Sequence, residues 1–332
     1  MDEWTRNLTA YDLDSPLPVY GLPGMAFYII HNVAIVSCSI SIICSSSVII
    51  FLFLTERRTT KRNFYRWTTG ERLVVYLAVF DLGFSISHTM DHAYIYAAFE
   101  HPPDSICRFF AFLIVQNILG QGLTVLFTAV SALILVLFQY KMRLGRRDWK
   151  LLLYSVGLPF LFCFFGVIYS YIGASGPWCI MEARNKLGKI MNNVKAAVML
   201  TVFFGSGLSY FIIWGKMRSS GPQPSTPADL ERRQRYHRSA RVMLLFVIAY
   251  VLQWWTWVAH AIWGFVGEPD AWLVVLVVFL CNMGGVFNGF AYTVMRRKYL
   301  KDSKKGMTTR TQTQSNQPSL ESQQQPPEQQ KY

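Results

Sequence analysis

Apolar positions in this chain are gathered into seven long runs separated by short polar segments. Met25–Thr55 and Phe109–Tyr140 contain no Asp, Glu, Lys or Arg, and Leu151–Met181, Ala196–Gly215, Val242–Gly267 and Ala271–Met295 are equally free of charge. Leu73–Ala98 is interrupted only by Asp81 and Asp91. A helix needs about 20 apolar residues to cross a hydrocarbon core of ~30 Å, and every run reaches that length. The pattern predicts an all-α integral membrane protein, a seven-transmembrane helix bundle with helices about 26–54, 73–98, 108–140, 151–173, 194–215, 242–266 and 271–295. Surplus length in the longest runs is expected as tilt, interfacial residues or loop. Residues 1–25 read as a short extracellular N-terminus, 26–300 as the helical domain and 301–332 as a disordered cytoplasmic tail rich in Gln, Ser, Thr and Pro. No cleavable signal peptide is evident, because residues 1–24 lack an apolar core, so the first helix is expected to direct insertion.

Composition agrees with lipid as the solvent: 52% of the 332 residues are hydrophobic and 15% charged, against about a quarter charged in soluble proteins. The net charge of +13 would suggest nucleic acid in a soluble protein, but its distribution argues otherwise. Of the 32 Lys and Arg, only Arg6, Arg108, Arg184, Lys186, Lys189 and Lys195 fall on the N-terminal side. The rest crowd the three alternate loops and the tail, which places these segments in the cytoplasm and the N-terminus outside. That face suits anionic membrane lipid and an acidic cytosolic partner, not nucleic acid. The sequon at Asn7 then lies outside and is a glycosylation candidate. Of the six cysteines, Cys38, Cys44, Cys163 and Cys281 fall inside helices. Cys107 and Cys179 are the two in an oxidising compartment, and a disulfide between them is expected.

Intramembrane ionisable and amide groups are costly and mark candidate chemistry. Asp81, deep in helix two, has two readings: a carboxyl bonded to hydroxyls such as Ser45–Ser47 or Ser85, or a member of a switch network with Asn282, Asn288 and Tyr292 of helix seven. Gly284, Gly285 and Gly289 beside those residues permit close helix contact or bending. The outer ends supply ligand-pocket candidates: His88, Asp91, His92, Arg108, Gln116, Asn117, Lys195, Trp254, Trp257 and His260. Interfacial anchoring is the alternative for the Trp and His residues, and lipid headgroup contact for Arg108 and Lys195. No catalytic motif or Cys/His metal cluster is present, so neither enzyme activity nor a cofactor is expected. The His88 and His92 pair has i, i+4 spacing but lacks a third metal ligand other than Asp91. Helix seven has no lysine, which excludes a retinal Schiff base there.

Asn288-Gly289-Phe290-Ala291-Tyr292 is similar to the Asn-Pro-x-x-Tyr motif of rhodopsin-like G-protein-coupled receptors, with Gly in place of Pro. Leu77-Ala78-Val79-Phe80-Asp81 is similar to their Leu-Ala-x-x-Asp. The chain departs from that class at Phe138-Gln139-Tyr140-Lys141, where Asp-Arg-Tyr is absent, and in lacking the helix-five and helix-six prolines. Gly157-Leu158-Pro159, Trp178-Cys179 and Ala129-Val130-Ser131 resemble the cAMP-receptor-like group of the same superfamily. The resemblance covers roughly 25–300 and implies a cell-surface receptor that passes an extracellular signal to a heterotrimeric G protein. It does not carry over cAMP as ligand; a small and polar or anionic ligand is one expectation. Arg143, Arg146, Arg147, Arg232, Arg233, Arg235 and Arg238 are then G-protein contact candidates, although membrane topology alone also explains their charge. Hydroxyl residues in 308–322 are candidate phosphorylation sites for arrestin recruitment. A channel or transporter along Asp91, Asn117, Asp81, Asn282 and Asn288 is the alternative, and a ligand-free scaffold a third.

Overall fold

Seven membrane-spanning segments organise the computed structural model, which describes residues 17–59, 63–219, 227–263 and 270–296, with backbone alone at 56–59, 227–239 and 241–242. They are α1 (Met25–Thr59), α2 (Thr69–Ala98), α3 (Asp104–Phe138), α4 (Trp149–Ile168), α5 (Lys186–Arg218), α6 (Pro227–Trp263) and α7. The last is a bent pair, Ala271–Asn282 and Gly284–Arg296, which meet at 46°. Asn7 and the tail beyond Arg296 lie outside the described residues. Met1–Tyr292 is one compact unit, and Thr293–Tyr332 a second, described only to the helical Arg296.

Within the first unit α3 is central, packed against α2, α4, α5 and α6. Contacts of α1 with α2 and α7, of α6 with α7, and of α5 with α6 complete the bundle. Burial follows position. The most apolar window of α2 is 61% buried, against 28% for α1, α4 and α5. The helix that carries the two acids is therefore more enclosed by protein than α1, α3, α4, α5 or α6, as intramembrane charge requires. Ile43, Leu208, Phe211 and Phe290 point outward, 62–71% exposed, and form part of the lipid-facing surface.

Several helices run further than the apolar runs, because polar caps extend them. Thr68 and Glu71 form a reciprocal capping box that starts α2 four residues before Leu73. Asn185 caps α5 by accepting from Gly188 N at 2.5 Å, and its amide donates to Ser170 O at 2.7 Å. That cap begins α5 nine residues before Lys195. Conversely α4 stops at Ile168, and the chain turns into a two-stranded hairpin, β1 (Ala174–Ser175) and β2 (Trp178–Cys179). Within α4, Leu153–Gly157 forms a π turn. The amide of Gln116 donates to the Val156 carbonyl there at 3.2 Å, supplying a partner where the regular ladder is interrupted.

At the end of the bundle that carries the basic loops, the inner end in the orientation expected from the charge bias, Arg72 forms a two-pronged ion pair with Asp148, at 2.6 and 2.9 Å, and Tyr76 Oη donates to the same carboxylate at 3.0 Å. This clamp holds the second inner loop against the base of α2. Arg143, Arg146 and Arg147 of that loop are exposed. Arg232, Arg233, Arg235 and Arg238 lie on the first half of α6, with their side chains outside the described residues.

Candidate functional site

Two polar systems occupy the bundle interior. The inner one is built around Asp81. Its Oδ1 accepts from Gln121 Nε2 of α3 at 2.6 Å, and its Oδ2 from Asn288 Nδ2 of α7 at 2.6 Å. The hydroxyls considered as partners are not used: Ser45 and Ser85 Oγ have no partner. The Gln121 amide also donates to Gln253 Oε1 at 3.1 Å and accepts from Trp254 Nε1 at 3.3 Å. Gln253 donates in turn to the Cys281 carbonyl at 2.8 Å. Trp254, Gln121, Asp81 and Asn288 thus make one hydrogen-bonded seam across α6, α3, α2 and α7. The bend in α7 makes room for it. A Cβ at Gly284 would lie 2.3 Å from Asp81 Oδ1 and 2.6 Å from Gln253 Nε2, and one at Gly285 would lie 2.2 Å from Ser45 Oγ and 2.5 Å from the Ser41 carbonyl. Only glycine admits these approaches. Tyr292 is buried one turn further, its ring 6.4 Å from Phe51.

The outer system is a chain of imidazoles. Asn282 does not join Asp81; its Oδ1 meets His88 Nδ1 at 2.9 Å. His88 Nε2 faces His92 Nε2 at 3.0 Å, and His92 Nδ1 faces His31 Nδ1 at 2.7 Å. An amide oxygen only accepts, so His88 Nδ1 carries the hydrogen, His92 donates from Nε2, and His31 donates from Nδ1. One hydrogen per ring satisfies the chain and leaves His31 Nε2, which is buried, without a partner. These nitrogens face one another rather than a common centre. Among the described residues no group of three His, Cys, Asp or Glu could hold a metal ion.

Above this chain sits the hairpin. Cys179 is bonded to Cys107 at the head of α3 by a disulfide, and its backbone N–H donates to Asp91 Oδ2 at 2.8 Å. Asp91 therefore anchors the hairpin to α2. Trp178 packs edge-on against His88, ring centres 5.6 Å apart, and lies over His92 at 5.9 Å. Outside it, Arg184 grips Glu182 through two bonds of 2.8 and 2.9 Å and reaches Asp104 at 3.2 Å. Burial pushes the His101 imidazole, near Glu182 and Arg184, down to about 4.

Below the hairpin lies a cavity of about 510 Å³ of empty space, counting its open mouth. Phe84 and His88 of α2, Ile114 and Ile118 of α3, and Trp178 and Ile180 of the outer loop line one side. Lys195 and Met199 of α5, Trp254 and Trp257 of α6, and Val277, Val278 and Cys281 of α7 complete it. The mostly apolar wall with a few polar groups is that of a small-molecule site. Of the sequence candidates, His88, Lys195, Trp254 and Trp257 line it, and Asp91 and His92 are buried behind it. Arg108 lies 3.9 Å from Asp104, Gln116 serves the π turn, Asn117 donates to Leu113 O, and His260 is half-buried; none of these four lines the cavity. Sequence reasoning missed Gln121, Gln253 and His31. An amide or imidazole inside an uncharged run was the available signal.

Fold and site together define a seven-helix membrane bundle with an outer cavity coupled to a polar seam. No family model matches the sequence, and no curated protein matches it. Among solved structures, that of squid rhodopsin superimposes with a TM-score of 0.64, covering 88% of each chain at 14% sequence identity. At that identity the likeness is one of fold: this chain has the seven-helix architecture of squid rhodopsin.

Proposed function

We propose that this protein is a cell-surface receptor of the G-protein-coupled type, multi-pass in the plasma membrane with its N-terminus outside. One observation carries the reading. Trp254 lines the outer cavity and is also the first member of the seam that runs through Gln121 to Asp81 and Asn288. A ligand that moves the Trp254 indole alters Gln121, and Gln121 shares its amide among three partners. The seam then favours one of two bundle arrangements, which differ at the inner ends of α5 and α6. A heterotrimeric G protein binds the arrangement that opens the inner face, steered by Arg143, Arg146 and Arg147 of the second inner loop and by the basic start of α6. Gly157-Leu158-Pro159 and Trp178-Cys179 favour the cAMP-receptor-like group within the superfamily. Arrestin recruitment through the hydroxyl-rich tail belongs to the same reading.

Conduction along Asp91, Asn117, Asp81, Asn282 and Asn288 has less support. Asn117 bonds its own helix, Asn282 bonds His88, and the donors and acceptors of the seam are turned toward one another. Expression in cells with a panel of G proteins tests the proposal through heterotrimer dissociation. Basal or ligand-driven coupling to one G-protein class is expected, reduced by Gln121→Leu at unchanged surface level. Absence of coupling to every class, with ion flux in liposomes of the purified protein, refutes it.

A further inference from the structure

The cavity contains a charged group with nothing to bind. Lys195 is 94% buried, since 6% of its surface is exposed, and it lines the cavity wall. It has no hydrogen bond or ion pair among the described residues, and the ion pairs of the outer loops join Arg184, Glu182, Asp104 and Arg108 instead. The imidazole on the wall, His88, has both nitrogens committed, to Asn282 and to His92. The rest of the wall is aliphatic and aromatic, with indoles at Trp178, Trp254 and Trp257. Burying an amine without a counter-charge is costly, and removing that cost is a source of binding energy for whatever supplies the charge.

We infer that the cavity takes an amphipathic anion: a single carboxylate or phosphate head set against Lys195 Nζ, and an apolar body packed among Trp178, Trp254, Trp257 and Ile118. The position of Lys195 fits this polarity. It lies nine residues along α5 from Lys186, about 14 Å along the helix from its start at 1.5 Å per residue, and it is enclosed by protein in the cavity wall rather than exposed on the bundle's outside. The inference deepens the receptor reading of the same cavity and rests on it for its signalling consequence. An anionic head of this kind comes either from a free amphiphile or from an acidic lipid of the bilayer.

The test uses the full chain in phosphatidylcholine nanodiscs, with decanoate, decanol and decyltrimethylammonium as matched probes. Tryptophan emission reports occupancy, because three indoles line the site, and the thermal midpoint reports stabilisation. Decanoate is expected to bind at least tenfold more tightly than decanol, the scale of a charge-assisted hydrogen bond, and the cation more weakly than either. Lys195→Met removes the decanoate preference while keeping decanol binding, and its unliganded thermal midpoint is no lower than that of the unmodified protein. Lys195→Arg retains the preference. Repetition in nanodiscs containing phosphatidylglycerol separates the sources: a decanoate response suppressed there, only with Lys195 present, assigns the site to acidic bilayer lipid, and an undiminished response assigns it to the free amphiphile. Either result supports the anion site. Equal responses to the three probes, or a decanoate preference that survives Lys195→Met, overturn it. Anion binding without G-protein coupling would overturn the receptor reading and leave this site; coupling without anion selectivity would do the reverse.

Discussion

The Asp81–Asn288 contact allows a quantitative test, because carboxylate and amide are nearly the same shape and can be exchanged. Asn288→Asp places a second carboxyl where Asn288 Nδ2 now donates to Asp81 Oδ2 at 2.6 Å. Two negative charges that close repel by about 6 kcal/mol even at an effective dielectric of 20, so the pair keeps a proton instead. Holding a proton at pH 7 on a carboxyl of ordinary pKa, about 3.9, costs about 4 kcal/mol, and the hydrogen bond it makes returns about 1 to 2 kcal/mol. A net loss of about 2 to 3 kcal/mol is expected. The loss shrinks by about 1.4 kcal/mol per pH unit on acidification, since the missing proton is then supplied by solvent.

Asp81→Asn alone costs less. Gln121 can still donate to the new amide oxygen, and Asn288 can turn its own oxygen toward the new amide hydrogens. The double exchange, Asp81→Asn with Asn288→Asp, puts one carboxylate and one amide back in contact. It should recover most of the Asn288→Asp loss, giving a coupling energy of about 2 kcal/mol in a double-mutant cycle. The thermal midpoints of the four proteins in nanodiscs at pH 7 and pH 5 provide the measurement. At about 2 to 4 °C per kcal/mol, Asn288→Asp should lie about 4 to 12 °C below the parent at pH 7, with a smaller gap at pH 5. Additive effects of the two substitutions, or an Asn288→Asp deficit that does not narrow on acidification, would refute the direct contact.

Gly285→Ala should destabilise the protein by about 1 to 3 kcal/mol by overpacking, because its Cβ would lie 2.5 Å from the immovable Ser41 carbonyl. Gly289→Ala, whose Cβ would meet Val48 at 3.4 Å, should be neutral or stabilising by up to about 1 kcal/mol through helix propensity; a thermal midpoint comparison decides. Asp148→Ala leaves the mostly buried Arg72 guanidinium without its carboxylate and should cost about 3 kcal/mol or more, with the second inner loop becoming cleavable by limited proteolysis. The His101 imidazole is held at about 4 when folded against 6.5 when free. Its contribution is therefore fully present above pH 6.5 and lost as pH falls from 6.5 toward 4. Thermal midpoints should decline across that window, and less steeply in His101→Gln; parallel profiles for the two proteins would contradict this assignment.

What was legible in the sequence follows what each residue type can signal by itself. Seven runs long enough for a bilayer needed no knowledge of their mutual rotation, and the chain has seven spans. Asp81 and Asn288 are also legible, because a polar group in hydrocarbon must find a partner and helix seven offers few. The cavity wall is different in kind. Ile114, Ile118, Val277 and Val278 read the same as the lipid-facing Ile43 and Leu208, because in a membrane protein both surfaces of a helix are apolar, and amphipathicity no longer tells inside from outside. Lys195 shows how a small error in an element's end changes the meaning of a residue. With α5 started at 194, Lys195 sits at the outer interface, where a lysine contacts headgroups and needs no explanation. The Asn185 cap starts the helix eight residues earlier, and the same lysine lies well inside the helix, buried in the wall of an apolar cavity, where it demands a counter-charge. The capping signal at Asn185 and Gly188 was present in the sequence, but the polar stretch between 182 and 195 hid it among loop residues. Helix ends in this bundle are therefore functional information: the position of one cap separates a topological anchor from a candidate ligand-binding cation.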